Sequence, residues 1–240
     1  REVHESGGPA IRLGTGERLG RPVSNDTGRL EFSFFSMDKC DGFGLVQRDR
    51  RFAAYEDGEA AYHQRPSLWI QPTSDWGPGR VMLMEIPTAN ELADNIVALW
   101  EPAKQPAAGE RLEFSYRQHW TMNPDPAEAG GHVVATRTGV HEWQPEQRTV
   151  VVEFSGGKLS EPGQPVPEAD IQAIGPAADK VKIQGVAVQA LPENRWRAAF
   201  QIVPAAEGGK LSDLEPVELR CLLKRGTDFL TETWTYRINP

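Results

Sequence analysis

The amino-acid sequence predicts an all-β protein, and three observations support this fold class. Apolar and polar residues alternate with a period of two along most apolar segments, which is typical of half-buried strands. The 23 glycines and 19 prolines interrupt these segments often, as expected where many short strands are joined by turns. Helical spacing of apolar residues is scarce. Because 39% of the residues are hydrophobic and 8% aromatic, the chain can fill a core, and a disordered protein is excluded.

The strands follow from this alternation. It is clearest where Leu112, Phe114 and Tyr116 point to one side and the residues between them to the other. Residues 51–63 have aromatic side chains at helix-like spacing, and there we expect one or two helical turns. The predicted strands are residues 29–37, 43–49, 67–71, 80–86, 95–101, 112–117, 148–155, 168–174, 181–190, 196–202, 215–224 and 234–238.

The domain organisation follows from a polar segment rich in proline and glycine, residues 122–131, which predicts a linker. We therefore expect a first domain over residues 1–121 and a second over residues 132–240. The second has the size and strand rhythm of an immunoglobulin-like β-sandwich. The first contains a stretch from 47 to 100 that is rich in Trp, Tyr and Arg, side chains suited to ligand contact.

Length and charge exclude several classes of protein. The 26 Lys and Arg residues against 34 Asp and Glu give a net charge of −8, which argues against a nucleic-acid binder, since such proteins present a basic face. No segment approaches the ~18 apolar residues of a membrane-spanning helix. The chain begins at Arg1, and we expect a processed protein or a fragment whose targeting segment lies outside these residues.

Several kinds of chemistry lack their sequence signatures. Cys40 and Cys221 form no CxxC unit, and two buried free thiols are the simplest reading, although a disulfide stays open. The five histidines form no HExxH motif or Cys/His cluster, so we expect neither a metal nor a cofactor. Without a nucleophile elbow, a P-loop or a complete dinucleotide fingerprint, hydrolases of the α/β fold, P-loop enzymes, kinases and dehydrogenases are disfavoured.

Two carboxylates are candidates for acid–base chemistry. Asp94 comes just before the apolar run 96–100, where partial burial would raise the pKa of the carboxyl and suit it to donate a proton. The alternative is a turn carboxylate that binds nearby backbone N–H groups. Glu5 precedes a pair of glycines, and its alternative is a solvated acid near the chain terminus.

Aromatic side chains are the second candidate group. Sugars have flat C–H faces ringed by hydroxyls, so their binding sites combine aromatic rings with carboxylates, amides and arginines. Trp69, Trp76, Tyr55 and Tyr62 lie within one short part of the chain. Core packing is the usual role of strand tryptophans, and we expect it for Trp100, Trp196 and Trp234. Trp76 is followed directly by Gly-Pro-Gly, which leaves core and ligand contact about equally open.

The sequence also resembles a known family through a set of short motifs in collinear order. The motifs are residues 42–50 (GFGLVQRDR), 55–57 (YED), 62, 65–69 (RPSLW), 75–77 (DWG), 85–88 (EIPT), 94–98 (DNIVA) and 232–236 (ETWTY). This ordered set is similar to the periplasmic glucan biosynthesis proteins G and D, strongly over residues 1–121 and more loosely over 132–240.

The resemblance implies a fold, a location and an activity. The fold would be the C-terminal part of a large mutarotase-like β-supersandwich followed by an immunoglobulin-like domain. Family members act in the periplasm on osmoregulated glucans with a β-1,2-linked backbone, and some are inverting β-1,2-glucanases. The resemblance assigns the general acid to Asp94 and a relayed base to Glu5. The substrate-binding residues that we expect are Tyr62, Arg65, Trp69, Trp76, His4 and Asn95.

Two departures from the family pattern temper these expectations. The motif 4–6 reads His-Glu-Ser where the pattern has Asp in the middle, and an added methylene moves the carboxylate by over an ångström. The family also carries some 250 residues ahead of this region, so we expect exposed strand edges that those strands, from the same or another chain, would cover. The alternative function is therefore a non-catalytic glucan-binding or assembly factor that docks on the glucan synthesis machinery.

Overall fold

The computed structural model describes residues 7–23, 28–87, 96–122 and 130–239. The chain is nearly all β, which confirms the predicted fold class. It divides into two compact units, Arg1–Glu128 and Ala129–Pro240. No helix in the described part of the chain has the length and apolarity needed to cross a membrane.

The first unit is built from eight strands and one short helix within the described residues. The strands are β1 (Pro9–Leu13), β2 (Arg18–Gly20), β3 (Glu31–Met37), β4 (Cys40–Leu45), β5 (Ser67–Pro72), β6 (Gly79–Glu85), β7 (Ile96–Pro102) and β8 (Tyr116–Thr121). Helix α1 (Phe52–Tyr55) and a 3-10 turn (Tyr62–Gln64) lie between β4 and β5.

These strands form two antiparallel sheets. Within the first unit the larger sheet has the order β2-β1-β4-β5-β8, and the smaller has the order β3-β6-β7. Alternate residues of β6 are buried, so one face of the smaller sheet is turned to the core. Ile11 and Phe43 of the larger sheet pack with Met37 and Val81 of the smaller one, because burying both apolar faces removes them from water.

A close approach between β4 and β5 shapes the opposite face of the larger sheet. A Cβ atom on Gly44 would lie 2.0 Å from the carbonyl oxygen of Leu68, and one on Gly42 would lie 2.4 Å from the ring of Trp69. Glycine therefore gives the Trp69 indole the space to lie against β4, where it packs with Ala10 and Val46.

The second unit contains eight further strands within residues 130–239. They are β9 (Gly131–His141), β10 (Gln144–Gly156), β11 (Glu168–Ile174), β12 (Val181–Leu191), β13 (Arg195–Pro204), β14 (Val217–Arg225), β15 (Asp228–Phe229) and β16 (Thr233–Ile238). One sheet has the order β12-β13-β10-β9, and the other has the order β11-β14-β16 with β15 paired to β14.

One apolar core joins the two sheets of the second unit. Val152 and Phe154 from β10 pack in the same cluster as Leu219 of β14 and Trp234 of β16. The Trp234 side chain is fully buried, and its Nε1 donates to Thr136 Oγ1 at 2.9 Å. Its burial agrees with the core role expected for this tryptophan.

The structure corrects several of the predicted elements. The strand over 112–117 is wrong, because β8 begins only at Tyr116 while Leu112 and Phe114 are exposed outside any strand. Strands β1, β2, β9 and β15 were not predicted, because they are short or because glycine, proline and charged residues interrupt their alternation. The short helical content over 51–63 agrees with α1 and the 3-10 turn.

The predicted linker and the cysteines can be placed in part. Residues 123–129 of the linker lie outside the described residues, whereas Gly131, its last residue, already begins β9 and donates its N–H to Leu230 O at 2.7 Å. Cys40 and Cys221 are both buried and free, as expected. Burial raises the pKa of the Cys40 thiol to about 11 and that of Cys221 further still.

Candidate functional site

The two candidate catalytic carboxylates, Asp94 and Glu5, lie outside the described residues, and so do His4 and Asn95. The description resumes at Ile96, the first residue of β7, which is buried. The structure thus defines what surrounds the start of β7.

Buried polar side chains lie beside this start. Ile96 pairs in register with Glu85, the last residue of β6, and the Glu85 side chain is buried. On β3, which pairs with the other edge of β6, Ser33 Oγ accepts a hydrogen bond of 3.1 Å from Nη2 of the buried Arg21. A buried carboxylate and a buried guanidinium are costly to desolvate. This end of the smaller sheet therefore has a polar interior.

The segment between β4 and β5 is held by Arg50. Its Nη1 donates to the carbonyl oxygens of Arg65 at 2.8 Å and His63 at 3.4 Å, and its Nη2 donates to Ser67 Oγ at 3.2 Å. Burial lowers the pKa of the guanidinium, which nonetheless stays charged. Arg50 therefore fixes the loop that carries Tyr62 and Arg65 onto the first residue of β5.

Gln47 also holds the loop between β4 and β5 through hydrogen bonds. Its backbone N–H donates to Ser67 Oγ at 3.0 Å, and its side-chain Nε2 donates to Tyr62 O at 2.9 Å. The side-chain Oε1 is buried and has no hydrogen-bond partner among the described residues. Such an acceptor is costly in a native fold and calls for an explanation, such as a water or a ligand.

Tyr62 and Arg65, two of the predicted sugar contacts, form one packed group. The Tyr62 side chain is only 1% exposed and its ring lies 5.8 Å from that of Tyr55. The Arg65 guanidinium lies over the Tyr62 ring, with its Cζ 4.3 Å from the ring centroid. Arg65 is half-buried, so it presents atoms to solvent, whereas Tyr62 supports it from within.

Trp69 is 5% exposed and lies over the glycines of β4. A direct contact between sugar and either Trp69 or Tyr62 stays a prediction, since both rings are enclosed by this chain's own residues. Strand β5 alternates, so that Trp69 and the neighbouring Ile70 point to opposite faces of the larger sheet, and it is Ile70 that packs toward the smaller sheet.

Trp76 is half-buried at the connection between β5 and β6. Its ring packs against Phe43, Trp100, Phe114 and Tyr116 with centroids 5.4 to 6.4 Å away. Its Nε1 donates to Ser115 O at 3.1 Å. Phe114 and Tyr116 are exposed, so these rings form an aromatic patch on the surface. Trp76 therefore contacts both the core and this patch.

This aromatic group lies at the other end of β7 from Ile96. Trp76 contacts Trp100, which is four residues and therefore about 13 Å along the strand from Ile96. The pairing of β6 with β7 agrees with this separation, because Gly79 opposes Pro102 at one end of the two strands and Glu85 opposes Ile96 at the other. Only an extended ligand could contact both ends.

A groove of about 640 Å³ opens at the aromatic end, where β3 and β7 finish and β6 begins. Its polar lining includes Arg80 and Glu101, paired through Nε and Oε2 at 2.8 Å, and also Asp38 and Gln105. The Arg80 hydrogen bond lowers the pKa of Glu101, which keeps this carboxylate ionised as an acceptor. The volume and the mixture of donors and acceptors suit a small polar ligand.

A metal site finds no support in the described part of the chain, where no three His, Cys, Asp or Glu side chains come together as ligands. Sequence reasoning missed Arg21, Glu85 and the hydrogen-bonding roles of Gln47 and Arg50. Glu85 carried a usable signal, because it continues the inward positions Val81 and Leu83 of the alternating strand.

Comparisons with known proteins complete the description. The family model for "Periplasmic glucan biosynthesis protein, MdoG" matches residues 1–238. Curated relatives include the probable glucans biosynthesis protein D of Shewanella oneidensis, 39% identical, and the glucans biosynthesis proteins D of Xanthomonas campestris, 37%, and D 1 of Ralstonia nicotianae, 38%. Each alignment covers 100% of this chain but 44% of the relative. The chain thus spans less than half the length of these relatives.

Proposed function

This chain belongs to the periplasmic glucan biosynthesis protein family, and we propose that the full-length protein is an inverting endo-β-1,2-glucanase of the periplasm. Its substrate is the β-1,2-linked glucan backbone, and this chain supplies the acid, the base and part of the binding surface. The activity belongs to the whole protein, because the chain spans 44% of its curated relatives.

In the proposed reaction, Asp94 donates its proton to the glycosidic oxygen as the bond from that oxygen to the anomeric carbon breaks. A water molecule forms the new bond to that carbon from the opposite face of the sugar, which inverts the configuration. The proton that this water loses passes through a substrate hydroxyl and a further water to Glu5. One bond to oxygen is broken and one is formed, and the two carboxyl groups end with exchanged protonation states.

The observation that carries the proposal is the family match over residues 1–238 together with a carboxyl group at both positions, 5 and 94, that the family resemblance assigns to the chemistry. The buried side chain of Glu85 beside the start of β7 adds support, as do the buried Arg21 and Ser33 on the other side of β6. A polar and dry end of a sheet is the kind of surrounding that shifts carboxyl pKa values.

The binding surface in this proposal is long. The half-buried Arg65 and Trp76 offer atoms to the sugar, while Tyr62 and Trp69 support the surface from within the core. The groove beside Arg80 and the aromatic group around Trp76 serve units of the glucan remote from the bond that is cleaved. An extended substrate agrees with the separation along β7 and favours cleavage within the chain over removal of terminal sugars.

The test uses the full-length protein and linear β-1,2-glucan, with new reducing ends as the measure of rate. We expect Asp94→Asn to lower the rate at least about 100-fold, which is the lower range for loss of a general acid. The matched control is Asp179→Asn, the same chemical change at an exposed position of the second unit. NMR of the first product should show the inverted anomer.

Equal rates for Asp94→Asn and Asp179→Asn would remove Asp94 from the mechanism. The base has its own test in the Glu5→Gln and Glu5→Asp variants. Loss of rate with Glu5→Gln and retention with Glu5→Asp is expected for a relayed proton, because the chain of water can absorb the difference in length. Full activity of Glu5→Gln would exclude Glu5 as the base.

The Glu at position 5, where the family pattern has Asp, favours one alternative: a non-catalytic factor that binds glucan during synthesis. The two functions differ in one measurement. Saturable binding of β-1,2-glucan to the full-length protein without new reducing ends, over an incubation of many hours, would establish the alternative. In either case the residues that precede this chain in its relatives complete the first unit.

A further inference from the structure

The outer face of the four-stranded sheet in the second unit carries three arginines around one carboxylate. Glu153 of β10 is 1% exposed, and its Oε1 accepts from Arg137 Nη1 at 2.9 Å and from Arg197 Nη2 at 2.7 Å. Its Oε2 accepts from Arg195 Nη2. We call Arg137, Arg195, Arg197 and Glu153 the arginine cluster. It belongs to neither end of β7 and is independent of the proposed glucanase.

The charges of the arginine cluster do not balance. Burial disfavours the ionised form of Glu153, but the hydrogen bond from Arg197 and the charges of Arg137 and Arg195 outweigh it and lower the pKa. The carboxylate is therefore ionised at neutral pH, and three guanidinium groups against one carboxylate leave two positive charges on this face. The whole chain carries −8, so the positive charge here is local.

Few acidic groups lie near the arginine cluster, and the nearest along the chain, Glu193, is exposed in the turn before Arg195. Strand register places no further acidic side chain at the neighbouring outward positions of the described sheet. These positions are held by His132, Ala135, Gly139, Thr149, Val151, Ser155, Gln184, Ala187, Gln189, Leu191, Ala199 and Gln201. Small side chains such as Ala135 and Ala199 leave the guanidinium groups open to a ligand that approaches the face.

The guanidinium groups of the arginine cluster also have more N–H donors than the bonds to Glu153 require. Each carries five N–H donors, and the hydrogen bonds to Glu153 use only some of them. Arg137 has a side chain 60% exposed. The Nε of Arg195 is buried and has no acceptor among the described residues, which is unfavourable unless an acceptor arrives with a ligand.

We propose that the arginine cluster binds a phosphate group carried by a small soluble ligand. A phosphate monoester carries about −1.5 to −2 near neutral pH, which matches the two uncompensated charges. The planar fork of arginine forms paired hydrogen bonds with phosphate oxygens. An anionic membrane is the weaker match, because it is recognised by long polybasic segments and repels a chain of net charge −8.

The test is calorimetric titration of the full-length protein with glucose 6-phosphate at low ionic strength, with glucose as the neutral control. We expect saturable binding of one equivalent of the phosphate and none of glucose. Arg137→Gln should weaken the binding at least about tenfold, because it removes the most exposed charge-assisted donor. Arg137→Lys should lie between, since it keeps the charge and loses the fork.

The matched control is Lys158→Gln, which removes one positive charge from an exposed position of the same unit and should leave the affinity unchanged. Thermal unfolding verifies that each variant is folded, and Arg137→Lys carries the comparison if Arg137→Gln is not. Absence of saturable binding up to about 10 mM overturns the proposal. Equal losses in Arg137→Gln and Lys158→Gln overturn it too, as does binding to anionic vesicles without binding to the sugar phosphate.

Discussion

The two units of this chain use their buried polar groups differently. In the second unit several of these groups bond backbone, as where Glu232 Oε1 accepts from Val133 N at 2.7 Å and Thr231 Oγ1 accepts from Leu223 N at 3.0 Å. Among its described residues, Arg195 Nε is the buried side-chain atom without a partner. In the first unit, Gln47 Oε1, Arg50 Nε and Trp100 Nε1 are buried without a hydrogen-bond partner in the described residues. The described part of the first unit therefore has more buried polar atoms without a hydrogen-bond partner than that of the second unit.

The apolar cores differ in the same direction. The second unit has one cluster that joins both of its sheets, whereas the first has a smaller cluster and a separate group around Trp69. The comparison suggests a division of labour: the second unit is stable through apolar burial, and the first gives up stability for polar groups near its ligand. Four variants sharpen this comparison, from the largest expected effect to the smallest.

The largest effect is expected for Trp234→Ala in the second unit. The change removes a fully buried ring that stacks on Tyr236 and packs edge-on against Phe200. It should lower the free energy of unfolding by about 3–5 kcal/mol, as is usual for large cavities in a core. Denaturant unfolding followed by tryptophan fluorescence and circular dichroism measures the loss.

The matched change in the first unit is Trp76→Ala, which removes a half-buried ring. Because part of that ring already faces solvent, the loss of stability should be smaller, about 1–2 kcal/mol. A loss as large as that of Trp234→Ala would contradict the proposed division between the two units.

An intermediate effect is expected for Arg50→Lys. A lysine ammonium cannot bond the carbonyls of His63 and Arg65 and the hydroxyl of Ser67 together, so the loop over 52–66 should loosen at a cost of about 1–2 kcal/mol. Limited proteolysis should then cut within this loop. Arg51→Lys is the control, since that side chain is exposed and pairs with Asp49; equal cleavage in both variants would argue against the role of Arg50.

The smallest effect is a pH dependence in the second unit. A hydrogen bond from Lys224 lowers the pKa of Asp170 in the folded protein. The pair therefore stabilises the fold above the unfolded pKa, about 3.9, and its contribution is lost as the pH falls through the folded pKa. Asp170→Asn should cost less than about 1 kcal/mol at neutral pH, after screening by solvent.

The difference in melting temperature between Asp170→Asn and the parent should vanish in strong acid. Asp213→Asn, at an exposed position of the same unit, should melt like the parent at every pH. A difference that persists at low pH would mean that Asp170 stabilises the fold by something other than its charge.

Alternation of apolar and polar residues predicted most of the strands, because successive side chains of a half-buried strand face the core and the solvent in turn. It failed where the decisive contact is remote. Leu112 and Phe114 alternate like a strand, yet Phe114 packs on Trp76, far away along the chain. Trp69 had the composition of a sugar contact, and its burial depends on glycines of another strand. The arginine cluster likewise joins three strands, so no local pattern indicated it.

The two glycines beneath Trp69 have a consequence for how the larger sheet assembles. The indole lies over Gly42, and the backbone of Leu68 and Trp69 lies against Gly44. A slip of β4 by one residue would turn its apolar side chains to the wrong face. A slip by two would bring the side chain of Cys40 under the ring in one direction, and that of Val46 against the backbone of β5 in the other. The two close approaches therefore favour a single alignment of these strands as the chain folds.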